Sequence, residues 1–334
     1  MKATVALSAV LFAATMYSVE SMADAQPVDK STIVRRIVVL SSGESTKSDH
    51  PLIVGLREGL KQAGYIEGNN LFLSVPRNET YDDLQSTASR LKHDTVDVVV
   101  TIGSTDTAVA KQAGLTAPMV FMPTRDPLGR GLVKSLARPE TNFTGIAYET
   151  NIAVEGKGLE IFKEIIPNLQ RVFIIYEGSL EKPVFSQSLP VLRKVAKHLG
   201  LNLTEKSVRS HEKAQKAVSA LSTEITDGIF VICTNFFTGD PQTPRIARKK
   251  KIPFYGCPSQ IRKFGGLVSY APDFLYIGRR GAWYVDRILK GVKPQDLPVE
   301  TATKFELALN LNTADAIGIK IPTEVLQRAD KVFR

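Results

Sequence analysis

Short unbroken apolar runs alternate along this chain with longer stretches in which apolar residues return every third or fourth position. The first kind reads as strands buried on both faces and the second as amphipathic helices, so the alternation predicts an α/β fold with doubly wound parallel sheets. TIVRRIVVLSS (32–42) opens the series as a strand. A helix over 51–63 follows, striped by Leu52, Leu56 and Leu60 and stopped at Gly64. Strand LFLSV, helix YDDLQSTASRLK, a strand over 98–102, a helix opening at Ser104 or Thr105 and a strand over 119–122 continue it. A proline-rich loop, a short helix around 131–136 and the extended piece NFTGIAY close this first set.

The order then starts again. A helix over 154–166 is stopped by Pro167, and RVFIIYE, LNLTEKSV, GIFVICT, KIPFYG and GLVSYA read as strands separated by helices or turns. A helix over 274–290, a strand KFELALNLN and short helical pieces around 321–332 finish the chain. Two successive sets of similar size predict two lobes, one of residues 32–147 with about 274–304, the other of 148–273 with about 305–334. Nothing near 147–152 has the composition of a flexible linker, so the pattern predicts a hinge. Three crossings between lobes would let it bend in one direction while resisting twist.

Residues 1–25 stand apart from the fold. Lys2, an apolar run and the small-residue stretch SMADAQ follow the order of a cleaved secretory signal, with Ala23-Asp24-Ala25 as the cleavage pattern and the periplasm as destination. Removing it takes away Lys2, Glu20 and Asp24 and raises the formal charge of +9 by one. The basic residues are mostly scattered and export argues against nucleic acid. Their one cluster, Arg245, Arg248, Lys249, Lys250 and Lys251, reads as the solvated end of a helix or a patch for an acidic partner. Cys233 and Cys257 each end a predicted strand, and either a disulfide between neighbouring strands or two buried thiols satisfies that placement.

Catalytic and cofactor motifs are missing. The chain has no Gly-x-Ser-x-Gly elbow, no His-Glu-x-x-His helix, no Walker loop and no dinucleotide fingerprint after its first strand. His50, His93, His198 and His211 are read as surface residues. No enzyme, metal or cofactor is therefore expected. In open parallel sheets ligands bind beyond the carboxyl ends of the strands. Those ends carry Ser41, Ser42, Gly103, Ser104, Thr105 and Asp126 in the first lobe, and Tyr176, Asn235, Phe236 and Asp273 in the second. Hydroxyls and helix-terminal amides suit a carboxylate, an aspartate suits an ammonium and an aromatic face suits an apolar side chain. Ser104 or Thr105 has capping of its helix as a rival role, and Asp273 has the same rival role at the next long helix. Of the adjacent Phe236 and Phe237, one is expected in the core and one against ligand.

The segments LREGLKQAGYIEGNNL, RDPLGRGLVKSLARPETNFTG, GGLVSYAPD, ILKGVKPQDLPVE and KFELALNLNTADAIGIKIP, in that order, carry a resemblance. The chain resembles the substrate-binding proteins of ABC transporters, in the group that includes tryptophan- and tyrosine-type binders. The resemblance implies a type I periplasmic binding protein: a monomer of two lobes that closes on a small ligand, an amino acid in the leading reading, and delivers it to a membrane permease with its ATPase. A periplasmic sensor that presents its liganded form to a receptor kinase is the alternative. Ser41, Ser42, Gly103, Ser104, Thr105, Asp126 and Asp273 match positions where that family lines its cleft. Glu140 and Thr141 stand where it usually carries a glycine pair, and Ala271 where glycine is common.

Overall fold

The computed structural model describes residues 33–148, 152–178 and 188–334. The expected signal segment, and residues 149–151 of the expected hinge stretch near 147–152, lie outside the described residues. The first lobe is laid down as β1 (Arg35–Leu40), α1 (Pro51–Gln62), β2 (Leu71–Ser74), α2 (Tyr81–Leu91), β3 (Val98–Thr101), α3 (Ser104–Gln112), β4 (Met119–Arg125) and β5 (Phe143–Tyr148). The second follows as α4 (Ile152–Ile165), β6 (Arg171–Glu177), α5 (Ser188–Leu199), β7 (Asn202–Val208), α6 (His211–Ser219) and β8 (Gly228–Val231). It continues with α7 (Asn235–Thr238), α8 (Gln242–Lys249), β9 (Phe254–Tyr255), α9 (Pro258–Phe264) and β10 (Val268–Pro272). The remainder is α10 (Phe274–Leu289), β11 (Glu300–Thr301), β12 (Phe305–Asn310), α11 (Leu311–Ile317), α12 (Thr323–Gln327) and β13 (Lys331–Phe333).

Two sheets result, ordered β11-β5-β4-β3-β1-β2 and β13-β12-β10-β9-β8-β6-β7. Each is covered on both faces: Leu52, Leu56 and Ile277 pack on one side of the first sheet, and Leu84, Val109 and Leu115 on the other. Burial on both faces is why β3 reads VVVT with no alternation. Strand pairing is parallel except between β10 and β12. That exception departs from the all-parallel expectation and follows from the path. β10 runs toward the edge where the chain leaves for α10 and β11, so the chain re-enters at that same edge and β12 must run the other way. The sheet memberships give three passages between lobes, after β5, after β10 and after β11.

The local rules account for most of the element ends. Thr80 caps α2 in a reciprocal box with Asp83, and Pro51 opens α1. Pro258 starts and Gly265 (φ 84°) stops α9, a helix that the sequence pattern did not suggest. The helix expected over 131–136 is absent, because Gly131 takes φ 61° and the segment turns, anchored by buried Leu132 and Val133. Glu140 adopts φ 52°, a conformation that favours glycine, at a position where the resembling family usually has one.

What returns α10 to the first lobe is a close approach to α1. A Cβ on Gly278 would lie 2.3 Å from the Leu52 carbonyl oxygen and 2.9 Å from the Leu56 nitrogen. A Cβ on Gly55 would lie 2.2 Å from the Leu275 oxygen. Because the obstructing atoms are backbone, the helices must part to admit a methyl group. Gly278→Ala is expected to cost about 1–3 kcal/mol, read as a lower urea midpoint by far-ultraviolet circular dichroism. An unchanged midpoint would mean that the helices separate freely.

Candidate functional site

The carboxyl ends of the two sheets face a common cavity of about 570 Å³. The first lobe lines it with the loops after β1 and β3, the start of α2, and the ends of β4 and β5. The second contributes the start of α4, the ends of β6, β8, β9 and β10, and residues of α6 and α7. Aromatic rings form much of the wall: Tyr81, Tyr148, Phe230, Phe236, Tyr255 and Tyr270. Phe230 and Tyr255 stack with centroids 4.1 Å apart, and the Tyr255 hydroxyl donates to the Tyr270 carbonyl at 3.0 Å. Burial pushes the Tyr148 and Tyr255 phenols well above their ordinary range, so both are neutral hydrogen-bonding groups.

The turn after β3 is built for close approach. Gly103 is the N-cap of α3 at φ 93°, and no side chain caps that helix. The capping role open to Ser104 and Thr105 is therefore not the one they have. Ser104 instead accepts a hydrogen bond on Oγ from the Arg125 backbone N–H at 2.9 Å, tying β4 to the first turn of α3. Gly103, Ser104 and Thr105 all line the cavity, as does Ser42. Ser42 is fixed by Asp106, whose carboxyl group meets its N–H at 3.2 Å and its hydroxyl at 2.7 Å. Asp106 is fully buried, and burial lifts its pKa to about 7 against the Ser42 hydrogen bonds.

Other expected residues fall elsewhere. Ser41 is buried, donates from Oγ to the Ser45 carbonyl and does not line the cavity. Asp126 is exposed at φ 46° and accepts from the Gly129 N–H at 2.9 Å, which makes it a turn residue. Tyr176 is half-buried against the core cluster of the second lobe, since successive strand residues face opposite ways and Glu177 takes the cavity side. Asp273 caps α10, accepting from the Tyr276 N–H at 2.9 Å, so of its two roles the structure has the capping one. Asn235 begins α7, but its side chain lies outside the described part. Phe237 is fully buried and Phe236 lines the cavity, on a helical turn and not an extended segment.

Sequence reasoning places Arg125 at a strand end but gives no site role to the charged groups on the cavity wall. Arg125 ends β4 and pairs with Glu155 of α4 at 3.2 Å, across the lobes. Glu177 ends β6, accepts from the Thr234 hydroxyl at 2.9 Å, and is raised in pKa by burial, with His211 opposing. His50 and His211 are cavity residues, correcting the surface reading, while His93 and His198 are exposed. Burial holds the His50 imidazole down at about 4, so it is neutral, and its Nδ1 accepts from the Leu52 N–H. The strand-end rule that selected Tyr176 would have found Glu177 one residue later. Outside the cavity lining, exposed Asp49 of the first lobe meets Lys263 of α9 at 2.9 Å.

Cys233 and Cys257 form a disulfide, Cα to Cα 5.3 Å, joining the segments after the paired strands β8 and β9, with Cys233 on the cavity wall. Among the described residues no group of three or more His, Cys, Asp or Glu is placed to hold a metal, and no helix is long and apolar enough to cross a membrane.

Comparison with known proteins decides what kind of cleft this is. The sequence profile of the family described as ABC transporter substrate binding protein matches residues 37–333. The chain belongs to that family. It is 25% identical over 284 residues to the tyrosine-binding protein of Clostridioides difficile, covering 83% of this chain and 81% of the relative. A conserved domain protein of Vibrio cholerae shares its fold with a TM-score of 0.78 at 27% identity, over 90% of this chain and 99% of the other. An ABC domain of Streptococcus pneumonia solved in complex with L-Trp has a TM-score of 0.79 at 24% identity, over 90% and 100%. The type I binding-protein fold with two α/β lobes is thus shared with substrate binders, and the family binds solutes and does not transform them.

Two opposite pH effects follow for this ABC substrate-binding protein. Asp106, held above its unfolded value near 3.9, contributes stability that is full at low pH and is lost as pH rises through about 7. His50, held below about 6.5, contributes stability at neutral pH that is lost as pH falls through about 4. They oppose each other in mild acid. Asp106→Asn keeps a neutral group able to accept from the Ser42 N–H and donate to its hydroxyl. Its stability relative to wild type is expected to grow from pH 5 to about 7, with a limiting slope of about 1.4 kcal/mol per pH unit. Urea titrations at pH 5, 6, 7 and 8 read that difference, and a difference constant across the series would refute the assignment.

Proposed function

We propose that this protein captures an amino acid with an aromatic side chain in the cleft between its lobes and hands it to an ABC permease with its ATPase. The observation that carries the reading is one cavity holding three kinds of wall: uncapped amides and hydroxyls at 103–105, buried charges of both signs, and a surround of aromatic rings. Its volume of about 570 Å³ suits a small molecule. A zwitterion with an aromatic body uses all three. The tyrosine-binding relative and the L-Trp complex of the same fold support the same ligand class.

The residues proposed to contact ligand are Ser42, Gly103, Ser104, Thr105 and Phe236, joined by Arg125, Tyr148 and Glu177. Closure is by rotation of the two lobes, 32–147 with about 274–304 against the rest, about the three passages between sheets. The protein acts as a monomer in the periplasm after loss of residues 1–25. A disulfide beside the cleft fits an oxidising compartment.

Thermal-shift screening of the mature protein against the amino acids, sugars and oxyanions tests this. L-tryptophan or L-tyrosine is expected to raise the melting temperature, reflecting roughly 4 kcal/mol of added stability at a thousandfold excess over Kd. A response to a sugar and to no amino acid would overturn the ligand class.

A further inference from the structure

Arg125 carries more hydrogen-bonding capacity than the protein uses. Its side chain is 12% exposed, its guanidinium lies 4.6 Å over the Tyr148 ring, and one terminal nitrogen, Nη2, is 3.2 Å from Glu155. The other, Nη1, is buried and has no hydrogen-bond partner. Buried charged donors are rarely left unpaired, because the lost hydration is not recovered elsewhere. The residue sits at the carboxyl end of β4 and lines the cavity.

We propose that Arg125 is the anchor for the ligand's carboxylate, received on Nη1 while Nη2 keeps Glu155. This rests on the reading of the cleft as an amino-acid site. A guanidinium offers its donors in a planar fork that can serve two carboxylates from different edges. The Arg125–Glu155 pair is neutral as a unit, so a second carboxylate needs further positive potential. The first turn of α3 supplies it. The Arg125 N–H is bonded to Ser104 Oγ, which places the strand end against uncapped helix amides. Since Glu155 comes from the opposite lobe, a carboxylate on Arg125 is held by a group that already bridges the hinge. The anchor therefore selects for an acid group.

Calorimetric titration with L-tryptophan, tryptamine and indole-3-acetate tests the assignment, because the second lacks the carboxylate and the third lacks the ammonium. Wild type is expected to bind tryptophan at least about 30-fold more tightly than tryptamine. Arg125→Gln alone leaves Glu155 buried and unpaired, so the deciding variant is Arg125→Gln with Glu155→Gln, checked for a wild-type melting profile. It should lose roughly 30-fold or more for both carboxylates and much less for tryptamine. Tryptophan binding at wild-type strength in the double variant would overturn the anchor and leave the amino-acid reading standing. Indole-3-acetate binding that needs Arg125, with no response to tryptophan, would do the reverse. A wild-type protein that binds neither carboxylate would overturn both.

Discussion

A parallel strand has unlike ends, and a sheet of parallel strands gathers all of one kind along a single edge. Helix starts collect there too, with amide groups that the helix itself cannot satisfy. In this protein both sheets turn that edge toward each other. The cavity is the consequence: loops with conformational freedom, donors without helical partners and the last residue of each strand all meet in one place. Gly103 shows how it works at one turn, since a residue at φ 93° lets the chain leave β3 and start α3 with its first amides bare.

Much of this was legible locally. Apolar runs of four or five residues located the strands, and the same strand-end argument located Ser42 and the 103–105 turn. What failed did so for identifiable reasons. Along a strand, a slip of one residue exchanges the two faces, which is why a strand-end reading names Tyr176 where Glu177 takes the cavity side. Asp273 and Asp126 have the composition of polar site residues, yet each is consumed by its own backbone, one as a helix cap and one in a turn. The Arg125–Glu155 pair was out of reach for another reason. Its partners belong to different lobes, and no periodicity in either lobe encodes how the two face each other.

That pair also bears on the energetics of closing. A buried ion pair gains little over apolar packing, but removing one partner costs about 3–5 kcal/mol because the other charge is left in a medium that cannot solvate it. The contact of Asp49 with Lys263 is of a different kind. Asp49 is 58% exposed, water competes for both groups, and such a contact contributes at most about 1 kcal/mol. Neither contact is therefore a strong clasp between the lobes: the buried pair makes its two members depend on each other, and the exposed one adds little.

The disulfide adds a condition on time and place. It ties Cys233 to Cys257 where two short strand ends form part of the cavity wall, and β9 has only two residues with which to hold its own position. A chain kept among reduced thiols would have to define that wall by packing alone. The covalent tie thus supplies at this stretch of wall a constraint that the two-residue strand β9 has little hydrogen bonding of its own to provide.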